Sequence, residues 1–208
     1  DVNVGKDDRR KKEGRGPRDS GARWGVKGSR VKIEGGKKVR RPQFFYGYKQ
    51  HLSLNAETGL ITAVEHTPGN APDGKYLEPL VEQDEEIGIG AKVYAGDRGY
   101  DDGESHLLLS LLKLNRYRTH KKDKNKERWL RLKADPDYQL GLKERYKVER
   151  KLGEGKSWHG LGRCRYLGLA KYAIQGYLTA IALNLKRLVK LLFGVSFRNQ
   201  VYSMGQAG

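Results

Sequence analysis

The chain has 208 residues, 42 Lys plus Arg against 25 Asp plus Glu, a formal charge of +17, a mass of 23.6 kDa and a pI near 9.9. One cysteine, Cys164, excludes an internal disulfide framework and a cysteine-rich zinc site and suits a reducing compartment. No apolar stretch approaches the roughly 18 residues of a membrane span, and the charged, Gly-rich opening does not read as a secretory signal. So basic a chain most often meets nucleic acid.

The charge is uneven. Residues 1–42 carry 15 Lys/Arg against 6 Asp/Glu, residues 43–106 carry 4 against 12, and residues 107–208 carry 23 against 7. A simple polyanion binder gains nothing from an acidic middle. A divalent metal held there, with phosphates held by the basic flanks, would use all three segments. Asp84, Glu85 and Glu86 could equally cap a solvated helix end.

Taken in chain order, residues 1–42 show little apolar periodicity and read as a basic, largely disordered arm: a phosphate grip or a linker. From Tyr46 to Leu54 the pattern alternates. Asn55–Gly59 is a turn, and Leu60–His66 resumes apolar character, which together predicts a β-hairpin. Pro72-Asp73 opens a helix to about Gln83. Ala91–Gly96 is a short buried strand ending at Asp97, and Glu104–Leu114 is a leucine-rich helix, so an α/β unit with a mixed sheet is expected. A basic stretch around Trp129 precedes a helix from about Tyr138 or Gly141 to Leu152. Ile174, Tyr177, Leu178, Ile181, Leu185, Leu188 and Leu192 mark an amphipathic helix over Leu167–Phe193, expected to pack in the core. Residues 194–208 read as a flexible tail.

Two places could carry chemistry. Asp97 follows an apolar strand and precedes Arg98-Gly99, where open α/β sheets place metal ligands; many such residues merely start turns. In RYKVERKLGEGK, helical spacing puts Glu149, Arg145 and Lys156 on one narrow face, although Gly153 and Gly155 threaten helix continuity. Either Arg145 and Glu149 form a surface pair, or Glu149 is a metal-binding carboxylate between two phosphate contacts. The five histidines show no metal-ligand spacing and are assigned structural or surface roles. The three tryptophans are expected in cores or interfaces.

Asp97 in AGDRGYDD and Glu149 in RYKVERKL stand between YGYKQHLSLNAETGLITAVEHTPGN and RCRYLGLAKYAIQGYLTAIALNLKRL. Together they resemble a bacterial insertion-sequence DDE transposase over most of residues 19–193. Arg145, Glu149 and Lys156 match R-x3-E-x6-K of its Y-x2-R-x3-E-x6-K signature, with Leu142 where the Tyr belongs. The resemblance implies an RNase H-like fold over residues 43–193: a mixed sheet flanked by helices. It implies Asp97 and Glu149 as catalytic metal ligands for Mg²⁺, with Mn²⁺ as substitute, and Arg145 and Lys156 as DNA contacts. The implied activity is phosphodiester hydrolysis and strand transfer on double-stranded DNA at element ends. A homo-oligomer that pairs two ends and a cytoplasmic, nucleoid-associated bacterial location are also implied. The first catalytic Asp should sit on a strand upstream of the hairpin; it is expected before residue 1, with Asp1, Asp7, Asp8 and Asp19 as lesser candidates. A catalytically inactive DNA-binding remnant is the second reading. A ribosomal-type RNA binder is disfavoured by the ordered motifs.

Overall fold

The structure, a computed structural model, describes residues 2–3, 13–100, 115–118 and 126–195. The helix expected over Glu104–Leu114, the tail beyond 195, and Asp1, Asp7 and Asp8 lie outside them. The architecture is mixed α/β. Strands β1 (Val2–Asn3), β2 (Arg23–Glu34), β3 (Lys37–Leu54) and β4 (Ile61–Pro68) form one antiparallel sheet, and β5 (Val93–Gly96) pairs in parallel with β6 (Asn115–Arg118). Parallel and antiparallel pairings are both present, in separate sheets. The helices are α1 (Leu77–Glu86), α2 (Lys126–Ala134), α3 (Pro136–Glu144), α4 (Tyr146–Trp158) and α5 (Leu169–Phe193).

The 18-residue strand β3 organises the first sheet. Its first half pairs with β2, its second half with β4, and β1 pairs at Tyr48 and Gly47. Two glycines let β2 and β4 meet end to end along β3. A Cβ on Gly25 would lie 2.3 Å from the Gly69 carbonyl, and one on Gly69 would lie 2.5 Å from that of Arg23. The predicted hairpin is β3–β4. Its turn closes through Asn55, whose Oδ1 accepts from Glu57 and Thr58.

One expectation is corrected upstream. A short strand, β1 at Val2–Asn3, precedes the hairpin. Residues 23–42 are not disordered: Ser29 to Glu34 pair residue by residue with Pro42 to Lys37 in a two-stranded ribbon. Gly35 and Gly36, both with positive φ (57° and 78°), make its tip, as two-residue hairpin turns require. The register slips between Val26 and Ser29, where Gly28 also takes positive φ. Backbone pairing and glycine turns build this ribbon without a buried face, so hydrophobic patterning gives no sign of it.

Asp19 ties the start of this region to the core. Its carboxylate accepts from the Tyr48 hydroxyl at 2.7 Å and from the N–H groups of Gly21, Ala22 and Gly168. Beside it Tyr48 stacks on Tyr172 at 5.0 Å.

Helix α5 packs on β4, but not by the face expected. Tyr172, Gln175, Gly176, Thr179, Ala180 and Leu183 are buried, whereas Ile174, Tyr177, Leu178, Ile181, Leu185, Leu188 and Leu192 are all exposed. Small residues win because the helix lies close to the sheet: a Cβ on Gly176 would overlap the His66 ring. Asn184 pins the helix by donating to the Ile61 carbonyl and accepting from its N–H. No described helix is long and apolar enough to cross a membrane.

Candidate active site

Asp97 comes directly after β5. Its carbonyl accepts from the Tyr100 N–H at 3.1 Å, closing a tight turn. Two contacts hold this loop against the first sheet. Gly99 sits so near Asp73 that a Cβ there would fall 2.2 Å from Oδ2, and Lys49 fixes Asp73 with a 2.8 Å bond to Oδ1. The Tyr100 hydroxyl meets Nδ1 of His51 at 2.7 Å. Nε2 of His51 lies 3.1 Å from the Thr67 hydroxyl, and its ring stacks on Tyr76. Burial, helped by the charges of Asp73 and Asp97, raises the Tyr100 hydroxyl well above its usual range.

The other half of the site comes from α3 and α4. Pro136 opens α3, and Asp135 caps it by accepting from Asp137 and Tyr138. The single helix expected to Leu152 is two abutting helices, with Arg145 at the junction in helical conformation. Gly153 and Gly155 do not end α4, which runs on to Trp158. Gly155 instead allows close packing, because a Cβ there would lie 3.1 Å from Leu161 and 3.4 Å from Thr179.

This arrangement joins Asp97, Arg145 and Glu149. Nη1 of Arg145 lies 3.0 Å from Oε1 of Glu149 and 3.6 Å from Oδ1 of Asp97. Both acids therefore share one nitrogen, and their oxygens are separated by no more than the sum of those distances. The Asp97 and Glu149 side chains are 72% and 61% exposed, against 29% for Arg145, so solvent reaches the acids. A groove of about 780 Å³ runs alongside, lined by Leu52, Tyr94, Tyr100, Gly141 and Arg145 among others. Lys156 stays on α4 and is half-buried. It lies two helical turns beyond Glu149, roughly 10 Å along the axis, and the structure records no contact between it and the acids.

Residues 11–185 match the family described as the transposase DDE domain. The chain belongs to the DDE-domain transposases. It is also 31% identical, over 175 residues, to the transposase for insertion sequence element IS1106 of Neisseria meningitidis serogroup B. That match covers 84% of this chain and 54% of the relative, so the chain spans about half the length of the curated relative it matches. No solved structure matches this transposase domain significantly.

Other sequence expectations divide. His51 and His66 are buried, as a structural role requires. Trp24 and Trp158 are not core residues, being 65% and 81% exposed. Asp19 is occupied by its hydrogen bonds inside the core and does not join Asp97 and Glu149. The positioning residues Gly99, Asp73, Tyr100 and His51 were missed as a set. Their signal was weak, since only Gly99 and Tyr100 adjoin Asp97 in sequence.

Proposed function

We propose that this domain performs divalent-metal-dependent phosphodiester hydrolysis and strand transfer on DNA at insertion-sequence ends, on an RNase H-like scaffold. The observation that carries the proposal is the meeting of Asp97 and Glu149, from distant parts of a transposase domain, on one guanidinium. That guanidinium shows where positive charge is favoured, and two exposed carboxylates offer the oxygen donors that a hard cation takes. Asp97 and Glu149 thus fit a Mg²⁺ site, with Mn²⁺ as substitute. A bound divalent ion there supplies Lewis-acid stabilisation of charge on the reacting phosphate.

The chain's own residues do the rest. Tyr100 and His51 fix the Asp97 loop, so one carboxylate is placed before substrate arrives. Arg145, anchored at a helix junction, presents N–H donors suited to phosphate oxygens. Lys156, further along the same helix face, supplies a second phosphate contact that positions DNA without reading sequence.

The test uses the intact transposase polypeptide and a supercoiled plasmid carrying element ends, with Mg²⁺ or Mn²⁺. Glu149→Gln and Asp97→Asn should each lower nicking by orders of magnitude and leave DNA affinity level or slightly higher. Parent-like nicking by Glu149→Gln would reduce the Arg145–Glu149 contact to a surface ion pair, worth about 0.3–0.5 kcal/mol.

A catalytically inactive DNA-binding remnant is the second reading. Under that reading the parent protein binds DNA and never nicks it.

A further inference from the structure

The ribbon from Ser29 to Pro42 has no part in the site above. It carries Arg30, Lys32, Lys37, Lys38, Arg40 and Arg41 against a single acid, Glu34. In its register Arg30 stands opposite Arg41, Val31 opposite Arg40, Ile33 opposite Lys38, and Glu34 opposite Lys37. Residues directly opposite share a face, so Arg40 and Lys38 lie on one face and Arg30, Arg41, Lys32 and Lys37 on the other. Like charges facing one another across strands are destabilising, and a two-stranded ribbon is marginal by itself. Val31 and Ile33 add exposed apolar side chains, 54% and 75% accessible, on the face of Arg40 and Lys38. Such a projection lowers stability unless an anionic partner covers it.

The distribution of charge selects the partner. A flat acidic surface would meet one face and leave the other face's cations unused. A partner with anionic walls on both sides uses all of them. The major groove of duplex DNA has that form, and its width admits a two-stranded β-ribbon. We propose that the ribbon Ser29–Pro42 enters the major groove of the substrate duplex. Its two faces lie against the two phosphate walls, Arg40 and Lys38 beside Val31 and Ile33 on one side and Arg30, Lys32, Lys37 and Arg41 on the other. This rests on DNA being the substrate of the site at Asp97 and Glu149.

Strand β3 sets how far away this happens. It runs without interruption from the ribbon tip to His51, which is bonded to the Asp97 loop through Tyr100. Pro42 and Gly36 lie 9 and 15 residues before His51, or about 30 and 50 Å at roughly 3.4 Å per residue. Base pairs rise by about the same amount. The ribbon therefore reaches DNA no farther than about 15 base pairs from the scissile phosphate, and about 9–15 when β3 lies along the duplex.

The test is a quadruple variant, Arg30→Gln, Lys32→Gln, Lys38→Gln and Arg40→Gln, in the intact protein. All four side chains are exposed, so the thermal melt should match or slightly exceed the parent's. In a gel-shift salt series on a mixed-sequence duplex of about 30 base pairs, affinity should fall at least tenfold near 0.15 M salt. The slope of log K against log salt should shrink by up to about four units. On a single strand of the same length the change should be much smaller. In nicking reactions, trimming the flanks from about 20 to about 8 base pairs should raise KM for the parent and leave it unchanged for the variant. An unchanged salt slope overturns the proposal, as does equal loss on single strand and duplex. A parent KM indifferent to flank length overturns the placement. Loss of salt slope in the quadruple variant, beside parent-like nicking by Glu149→Gln, would uphold the ribbon and reject the site.

Discussion

The hydroxyl of Tyr100 lies 2.7 Å from Nδ1 of His51, bonding the loop that carries Asp97 to the C-terminal part of the long strand β3. Tyr100→Phe keeps the ring and removes the hydroxyl that makes this bond. Nicking turnover should drop about tenfold with DNA affinity unchanged, and stability should fall by about 1–3 kcal/mol, the cost of leaving the buried His51 nitrogen without a partner. Unchanged turnover would make Tyr100 a packing residue alone.

Arg145 and Lys156 should separate on substitution. Under the proposed function, Lys156→Ala should remove one phosphate contact and reduce the salt slope by about one unit. Arg145→Ala does the same and also takes away the cation that Asp97 and Glu149 share. Added Mg²⁺ should therefore raise the melting temperature of Arg145→Ala more than that of the parent, as ligand linkage requires. Equal Mg²⁺ shifts in the two proteins would count against a metal site at these acids.

Asp19→Asn replaces one of the two acceptor oxygens with an NH2: if the amide oxygen keeps the N–H groups of Gly21 and Ala22, the NH2 faces the N–H of Gly168. A cost of about 2–4 kcal/mol is expected in urea melts, on the scale of charge-assisted bonds lost in a core. Burial pushes the Asp19 carboxyl up, but its hydrogen bonds outweigh burial and the net shift is down. Its contribution is thus present above the usual carboxylate range and disappears as pH falls through the lowered folded value. A melt unchanged by the substitution would contradict the assignment.

Burial pushes both His51 and His66 down to about 4. Their unfolded forms take up protons near 6.5, whereas the folded rings stay neutral until about pH 4. Between those values the unfolded chain binds more protons, so stability falls as pH falls, by up to about 1.4 kcal/mol per pH unit for each ring. Urea melts at pH 7, 6 and 5 measure the slope. A flat profile would show that the rings are charged or solvated in the folded state.

Local signals made the hairpin legible: the alternation of Tyr46, Tyr48, Gln50, Leu52 and Leu54 and the Asn55–Gly59 turn specify it without help from distant residues. The face shared by Arg145 and Glu149 was legible for a similar reason, since helical geometry alone sets it. Contacts between distant segments were not. Gly99 beside Asp73 and Gly176 beside His66 are glycines because another element occupies the space of a Cβ, and that occupant is absent from the local sequence. Helix α5 has apolar residues on two faces, and periodicity cannot say which one meets β4. The ribbon escaped notice because it buries almost nothing.

Strand β3 hands its neighbour over from β2 to β4 near Gly47, so one continuous strand spans two environments. Amides from Lys37 to Arg41 belong to a projecting ribbon, whereas those from Tyr48 to Ser53 lie between β4 and the packed helices. Hydrogen exchange should therefore divide a single strand, with the first group opening by local fraying and the second only with much larger unfolding. Proteolysis should likewise nick the Gly35-Gly36 tip first and leave a folded core carrying two short stubs.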